Sequence, residues 1–335
     1  MAERTNKNSS DIVISSRVRL ARNIDKYPFP ARMTDGQFAE LLQEVNSAIP
    51  TNNGGAYKFR FLNMQEVSDL DKQVLVENHL ISPGLAAAKR ACGVIISEDE
   101  KVSIMVNEED HMRIQCLFPG MDIKLAKELC CNLDNMLEEK FKFAFSPQLG
   151  YLTCCPTNLG TAVRASVMLH LPALSMSNHV QKILEICGKL GIAVRGLYGE
   201  HSDASGNLFQ ISNQTSLGQT EDEIIASVRN VAVQIIDSER TLRHDLYSHS
   251  PIEFEDSIYR AYGLLLYSRT ITTDESMKLI SRVRMGADMG IIKEVDAKTL
   301  DRLTYLVQPA SLQKRIGKAL TSEERDSGRA AVIRE

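Results

Sequence analysis

The chain has 335 residues, 43% of them hydrophobic and 24% charged, with a formal net charge of -4, which allows two ordinary domains and a sizeable core. An acidic balance excludes a general nucleic-acid binder, so any basic site must be local. The seven cysteines show no Cys-x-x-Cys spacing, the start MAERTNKNSS is polar, and no apolar run approaches bilayer length; free thiols in a cytoplasmic protein without membrane attachment are expected.

A polar tail over residues 1–10 precedes DIVISSRVRLARN, whose apolar run predicts a strand. TDGQFAELLQEVNSAI predicts a helix capped by Thr34 or Asp35, NNGGAYKFRFLNM a turn and strand, and SDLDKQVLVENHLIS a capped helix ending at His79. ACGVIISEDEKVSIMVNEEDHMRIQCLF predicts a β-hairpin that turns at SEDEK and returns through VSIMV. DIKLAKELCCNLDNMLEEKF is an amphipathic helix with apolar residues at 125, 129, 133, 136 and 137. Adjacent strands mixed with helices predict α+β rather than a Rossmann alternation.

GYLTCCPTNLGTAVRASVMLHLP then places two cysteines and a proline before an expected helix start. A helix follows over NHVQKILEICGKLG, then a strand at IAVRGLYGE, a loop at HSDASGN, a strand at LFQISNQ and a long capped helix over TEDEIIASVRNVAVQIIDSERTLRHDL. From about residue 250 the patterns PIEFEDSIYRAYGLLLYSRT, TTDESMKLISRVRMGADMG and DAKTLDRLTYLVQ are helical, which puts a domain boundary near residue 242. The SRVR of Ser16–Arg19 recurs at Ser281–Arg284. The second copy lies in a helical pattern where its arginines diverge, so the echo reads as coincidence.

Side chains two apart on a strand share a face, so Arg17 and Arg19 project together while Val18 and Leu20 point inward. Two convergent guanidinium groups suit a polyphosphate, although a solvated face paired to acids would look the same. Arg22 breaks the alternation and reads as a structural ion-pair residue. NEEDHMR crowds three carboxylates, which asks for a metal or a guanidinium unless the segment is an acidic loop facing water. In TCCPTNLGTAVRAS, Cys155 before Pro156 is the better thiolate candidate and Cys154 reads as a buried strand residue, against the alternative of inert thiols. Arg164 follows in the same segment, and VRGLYGEHSDASGN adds Arg195 and Glu200, or is a plain hairpin connection. Neither GxxxxGK[ST] nor GxGxxG occurs, so arginines would have to hold any nucleotide phosphates. LRHDL without a following DFG excludes a eukaryotic-type protein kinase.

SSRVRLARN, NEEDHMR, CPTNLGTAVRAS and RGLYGEHS together resemble, in order and spacing, the nucleotide- and guanidine-binding signatures of the phosphagen (guanidino) kinases, over roughly Asp11 to Leu242. The resemblance implies an α+β catalytic domain over 11–242, an antiparallel sheet flanked by helices as in glutamine synthetase, followed by an all-helical domain over 243–335. Metabolic members carry a helical domain before the SxRVR strand, whereas fourteen residues precede Ser15 here. That layout is similar to the bacterial protein-arginine kinase branch, whose substrate is arginine within proteins.

By that resemblance Glu109 and Glu200 grip the guanidinium, Glu109 is the general base and Cys155 completes an anionic cradle. ATP with Mg2+ is expected against Ser15, Ser16, Arg17, Val18, Arg19, His79, Arg113, Arg164, Ala165, Ser166, Val167, Met168, Arg195, Gly196, Leu197, Tyr198, Gly199 and Glu200, with no protein residue as a direct metal ligand. Met168 departs from the histidine of most metabolic relatives, which puts a side-chain role there in doubt. The loop after Glu200 is a candidate lid. RDSGRA, comprising Arg325, Asp326, Ser327, Gly328, Arg329 and Ala330, matches the branch's allosteric phosphoarginine motif. The resemblance further implies a homodimer that marks proteins for Clp protease, controls a stress-gene repressor and works with an activator protein. A kinase for free arginine, or a non-catalytic adaptor for phosphoarginine proteins, are the competing functions.

Overall fold

The structure is a computed structural model that describes residues 9–49, 57–196 and 204–335. The chain opens with β1 (Val13–Arg22), in which Val18 and Leu20 are buried and Arg17 and Arg19 are half-buried. Next is α1 (Asp35–Ala48), where the Thr34 hydroxyl and the Gln37 side chain form a reciprocal capping box. β2 (Phe59–Asn63) leads to α2 (Asp69–Glu77), capped by Ser68, and to the short α3 (Pro83–Ala87). Helix α2 stops at Glu77, two residues earlier than expected, because His79 takes a left-handed conformation with φ of 60°.

The expected hairpin is a three-stranded meander of β3 (Gly93–Ser97), β4 (Val102–Val106) and β5 (Met112–Pro119). Every residue of β3 and β4 is buried, which requires cover on both faces. One apolar cluster joins Leu75, Leu80, Ile81 and Leu85 to Val94, Ile96 and Met105. α4 (Ile123–Glu138) approaches β1 and β5 closely enough for the Cys130 thiol to donate to the Val18 and Ile114 carbonyls. The buried stripe of α4 is 123, 126, 129, 130, 133, 134 and 137, while Leu125, expected in the core, is 49% exposed. The apolar pattern missed that Asp134 belongs to the inner face.

β6 (Phe145–Ser146) and β7 (Gly150–Tyr151) form a separate two-stranded hairpin. The helix expected after Cys155 is one 3-10 turn, Pro156–Asn158, and the chain re-enters the sheet as β8 (Val163–His170). α5 (Pro172–Met176), α6 (Val180–Lys189), β9 (Ile192–Gly196) and β10 (Leu208–Asn213) follow. Then come α7 (Glu221–His249), α8 (Pro251–Tyr267), α9 (Thr273–Asp288), α10 (Ala297–Leu306), α11 (Pro309–Ile316) and α12 (Ser322–Arg334).

Among the described residues, eight strands are hydrogen-bonded in the order β2-β3-β4-β5-β1-β8-β10-β9. From β2 through β1 the pairings are antiparallel, with Leu117, Gln115 and Arg113 opposite Arg17, Arg19 and Ala21. Paired residues share a face, so register alone brings Arg113 to the side of Arg17 and Arg19.

The chain divides into two compact units, 15–167 with 212–229, and 1–14 with 168–211 and 230–335. The division cuts β1, β8, β10 and α7, and residue 242 lies inside the continuous helix α7. The second unit has its own core, in which Met168 and Leu208 pack with Phe254, Ile258, Met277, Ile280 and Val283. Its polar centre also is buried: Arg243 bonds Glu239 at 2.8 Å, Arg284 bonds Asp288 and Asp301, and His170 Nε2 meets Ser281 Oγ at 2.8 Å. Ser281 and Arg284 of the SRVR echo are thus structural.

Candidate active site

Arg17, Arg19, Arg113 and Arg164 meet within the first unit, and their mutual repulsion is felt at Arg19. Burial first, then Arg17, Arg113 and Arg164, push the Arg19 guanidinium well below its usual range, with Glu108 offsetting part of the effect. Its Nε is buried without a hydrogen-bond partner. A guanidinium does not deprotonate in a protein, so Arg19 stays charged among its neighbouring guanidinium groups, a setting suited to a polyanion. Burial and the adjacent Arg17 also hold the His79 imidazole down at about 4, from an ordinary 6.5, so it is neutral at pH 7.

A depressed histidine binds fewer protons folded than unfolded, so its stabilising effect is complete above about 6.5 and is lost as the pH falls towards about 4. His79→Asn keeps a side chain suited to positive φ and removes this titration. Thermal melts between pH 7 and pH 4 are expected to show a smaller fall for the variant than for the parent; equal slopes would remove His79 from the pH response.

The NEEDHMR turn sorts its carboxylates into three environments. Asp110 is fully buried and scaffolding: its Oδ1 accepts from Asn23 Nδ2 and from the Cys154 amide, both at 2.7 Å. Glu108, with its side chain 10% exposed, accepts from the Ser82 hydroxyl at 2.7 Å and the Glu109 amide at 2.9 Å. Glu109 is 43% exposed, and Arg113 Nη2 lies 2.7 Å from it and 2.9 Å from Glu108. The positive group that the acids require is therefore Arg113, and Glu109 is the carboxylate of the three that solvent reaches. His111 fixes the turn to the end of β1, accepting from the Ile24 amide at Nδ1 and donating from Nε2 to the Pro28 carbonyl. Burial lowers its pKa, consistent with that neutral tautomer.

Asn23, Asp110 and His111 were not legible as site residues. Their side chains bond within the fold, and Asp110 ties the Cys154–Cys155 loop to the Glu109 turn; an Asn and an Asp beside apolar strand ends were the available signal. Cys155 is partly buried, with Sγ 3.1 Å from Thr157 Oγ1, and Cys154 is exposed rather than buried as expected. A single 3-10 turn supplies little dipole, which withdraws that argument for a Cys155 thiolate.

Other expected contacts are internal to the fold. Ser16 is buried with its hydroxyl donating 2.6 Å to the Gly120 carbonyl, so it is committed there rather than to a phosphate. Val18, Ala165 and Val167 are core residues, as is Ser166, whose hydroxyl faces the Arg17 carbonyl at 3.5 Å. Ser15 is half-buried. The Met168 side chain sits in the second unit's core. Arg195, on β9, is exposed and belongs with Gly196 to that second unit. Leu197, Tyr198, Gly199 and Glu200, and most of the expected lid, lie outside the described residues.

RDSGRA lies on α12. Arg325 and Asp326 are half-buried and Ser327 exposed, whereas Arg329 and Ala330 are core residues. Arg329 donates to the carbonyls of Val307 and Ile271 and to Asp326 at 2.7–2.8 Å, which makes it a clamp between helices.

The ATP:guanido phosphotransferase C-terminal catalytic domain matches residues 40–242, and the Protein-arginine kinase McsB C-terminal domain matches 251–335. The Protein-arginine kinase of Halothermothrix orenii is 47% identical over 324 residues, covering 97% of this chain and 92% of the relative, and that of Bacillus subtilis is 47% identical over 97% and 90%. Among solved structures, the duplicated taurocyamine kinase of Schistosoma mansoni with transition-state analogue components superimposes with a TM-score of 0.61 at 30% identity, over 68% of this chain and 33% of that one. Lombricine kinase, at 24% identity over 71% of this chain and 69% of that one, shares the fold with a TM-score of 0.61. Sheet order, paired arginines on β1 and near-complete coverage by these relatives converge on one assignment: the chain belongs to the phosphagen kinase superfamily and, within it, to the protein-arginine kinases.

Proposed function

We propose that this kinase transfers the γ-phosphoryl group of ATP, with Mg2+ on the nucleotide, to a guanidinium nitrogen of arginine side chains in proteins. The observation that carries the reading is the meeting of Arg17, Arg113 and Arg164 around Arg19, whose buried Nε has no partner. Four guanidinium groups neutralise the charge that spreads over a transferring phosphoryl group. Glu109 orients the substrate guanidinium and takes a proton as the bond to phosphorus forms, with Glu200 as the second carboxylate and Cys155 steering the attacking nitrogen. Arg195, His79 and Ser15 complete the nucleotide site. Nucleotide phosphates also draw Arg113 away from Glu109, which frees that carboxylate for the incoming arginine.

The test is to incubate the pure protein with ATP, Mg2+ and an unfolded protein and to search by mass spectrometry for acid-labile phosphate on arginine. Modification of protein arginines is expected, and Arg19→Ala is expected to weaken nucleotide binding about tenfold or more, in line with loss of a charge-assisted bond. Phosphorylation of free arginine alone would make this a small-substrate kinase, and no transfer to either would refute the reading.

The same proposal extends to organisation and regulation. Residues 11–242 act as the catalytic domain and 243–335 as a helical regulatory domain. Phosphoarginine binds at the accessible Arg325, Asp326 and Ser327, with Gly328 beside them and Arg329 and Ala330 as buried support, and activates the enzyme. By family resemblance the setting is a bacterial cytoplasm, where a homodimer and its activator protein mark substrates for Clp protease and act on a stress-gene repressor. Arg325→Ala is expected to abolish activation by added phosphoarginine with an unchanged melting temperature, while Arg329→Ala lowers the melting temperature. Full activation of the Arg325 variant would overturn the regulatory site.

A further inference from the structure

Arg90, between α3 and β3, belongs to none of the four motifs, yet it holds the turn that carries Glu109. Its guanidinium meets that turn from the backbone side: Nε donates to the Asn107 carbonyl at 2.9 Å and Nη2 donates to the Glu108 carbonyl. The planar fork thus grips two successive peptide oxygens directly before Glu109. The Phe38 ring of α1 lies against it, with the guanidinium carbon 5.3 Å from the ring centroid.

This part of the turn needs holding. Asn107 is fully buried and takes a left-handed conformation with φ of 61°, which Asn tolerates better than most residues. Its Nδ2 spans the Phe38 and Ala91 carbonyls at 2.9 and 2.7 Å, and Ala91 is next to Arg90 in the chain, so residues 90–91 and the turn are joined in both directions. The side chains on either side of Glu109 are tied as well, Glu108 to Ser82 and Asp110 to Asn23 and the Cys154 amide. The Glu109 carboxylate meets Arg113 at 2.7 Å, and the proposed nucleotide site takes Arg113 away. The charge of Arg90 also reaches the cysteine loop: burial first, then Asp110 and Glu109, push the Cys154 thiol up to about 12, and Arg90 opposes them.

We propose that Arg90 is a positioning residue for phosphoryl transfer: by gripping the Asn107 and Glu108 carbonyls it keeps Glu109 aimed at the target guanidinium after Arg113 has turned to the phosphates. The proposal rests on the protein-arginine kinase reading, in which Glu109 takes the proton. A general base works only within hydrogen-bond reach of its proton, and a misplacement of about 1 Å costs on the order of a hundredfold in rate. Without Arg90 the two carbonyls lose their donor and the left-handed corner at Asn107 is free to relax. Arg90 acts through Glu109 and touches no substrate itself.

A double-mutant cycle on single-turnover phosphoarginine formation tests this. Arg90→Met keeps an unbranched stem against Phe38 and removes the donors. It is expected to lower the rate about tenfold to a hundredfold, with nucleotide affinity unchanged because Arg17, Arg19, Arg113 and Arg164 are intact. In the Glu109→Gln background the same change is expected to cost less than about twofold, since a base that is already gone needs no aiming. Arg90→Lys, whose ammonium can donate to both carbonyls, is expected to restore most of the rate.

An equal loss in both backgrounds would make Arg90 a purely structural residue and overturn the proposal, as would parent-like turnover of Arg90→Met. A parent that forms no phosphoarginine would instead sink the kinase reading, and this role with it. Should Arg90→Met fold poorly, Arg90→Gln, which keeps a polar amide at the tip but cannot span both carbonyls, repeats the cycle with the same two deciding outcomes.

Discussion

Glu109→Gln is expected to lower the rate of phosphoarginine formation by about two to four orders of magnitude, the usual worth of a positioned general base. Nucleotide affinity is expected to change little. The amide is nearly isosteric but has neither the charge that attracts a guanidinium nor the basicity to accept its proton. The fold tolerates the change because Glu109 is the exposed carboxylate of its turn, and Arg113 keeps its 2.9 Å contact with Glu108. Cys155→Ser is expected to reduce turnover by orders of magnitude as well, with ATP binding retained. Single-turnover phosphoarginine formation and a nucleotide titration separate the two effects. Undiminished formation in the Gln variant would remove Glu109 from the chemistry.

The second large effect is on stability. Asp134→Ala is expected to cost about 3–5 kcal/mol, because it leaves a buried guanidinium without its counter-ion. Arg22 is fully buried, with Nη2 at 2.6 Å and Nε at 3.2 Å from Asp134 Oδ2, and its Nη1 donates to the Ala21 and Thr161 carbonyls. The Tyr151 ring centroid lies 3.5 Å from the guanidinium carbon, so the cation also has an aromatic wall. Arg22→Met with Asp134→Leu is expected to recover most of the loss, since paired apolar replacements avoid both desolvation penalties. Urea unfolding of the single and double variants measures this. A loss below about 1 kcal/mol for Asp134→Ala would show that the pair is only weakly coupled to the fold.

This buried pair also shows where sequence reasoning was well founded. Arg22 breaks the alternation of Arg17 and Arg19, and that alone marked it as an ion-pair residue; its partner on α4 was invisible, because Asp134 sits in a stripe judged by apolar residues. The pattern of α4 was correct in type and wrong in phase at Leu125 for the same reason. The short α3, α5 and α11 escaped notice because they offer only one or two turns, and the 13-residue α12 because it is mostly polar and shows little apolar periodicity. Cys154 and Cys155 were assigned opposite exposures from Pro156 and an expected helix, but the chain makes one 3-10 turn and returns as β8.

By itself the sequence determined the α+β class, the capped helices, the all-helical patterning after residue 250 and the family, because periodicity, capping residues and four spaced motifs are local properties of the chain. It also put Arg17 and Arg19 on one face, since strand alternation is local too. Only the tertiary structure decided that Arg113 joins that face through the β1–β5 register, and that Ser16, Asp110 and Arg329 are scaffolding. It also decided that Glu109, among three adjacent acids, is the accessible one. Those outcomes depend on which polar groups are buried together, and the cost of leaving a buried charge or hydrogen bond unpaired is settled by residues far apart in the chain.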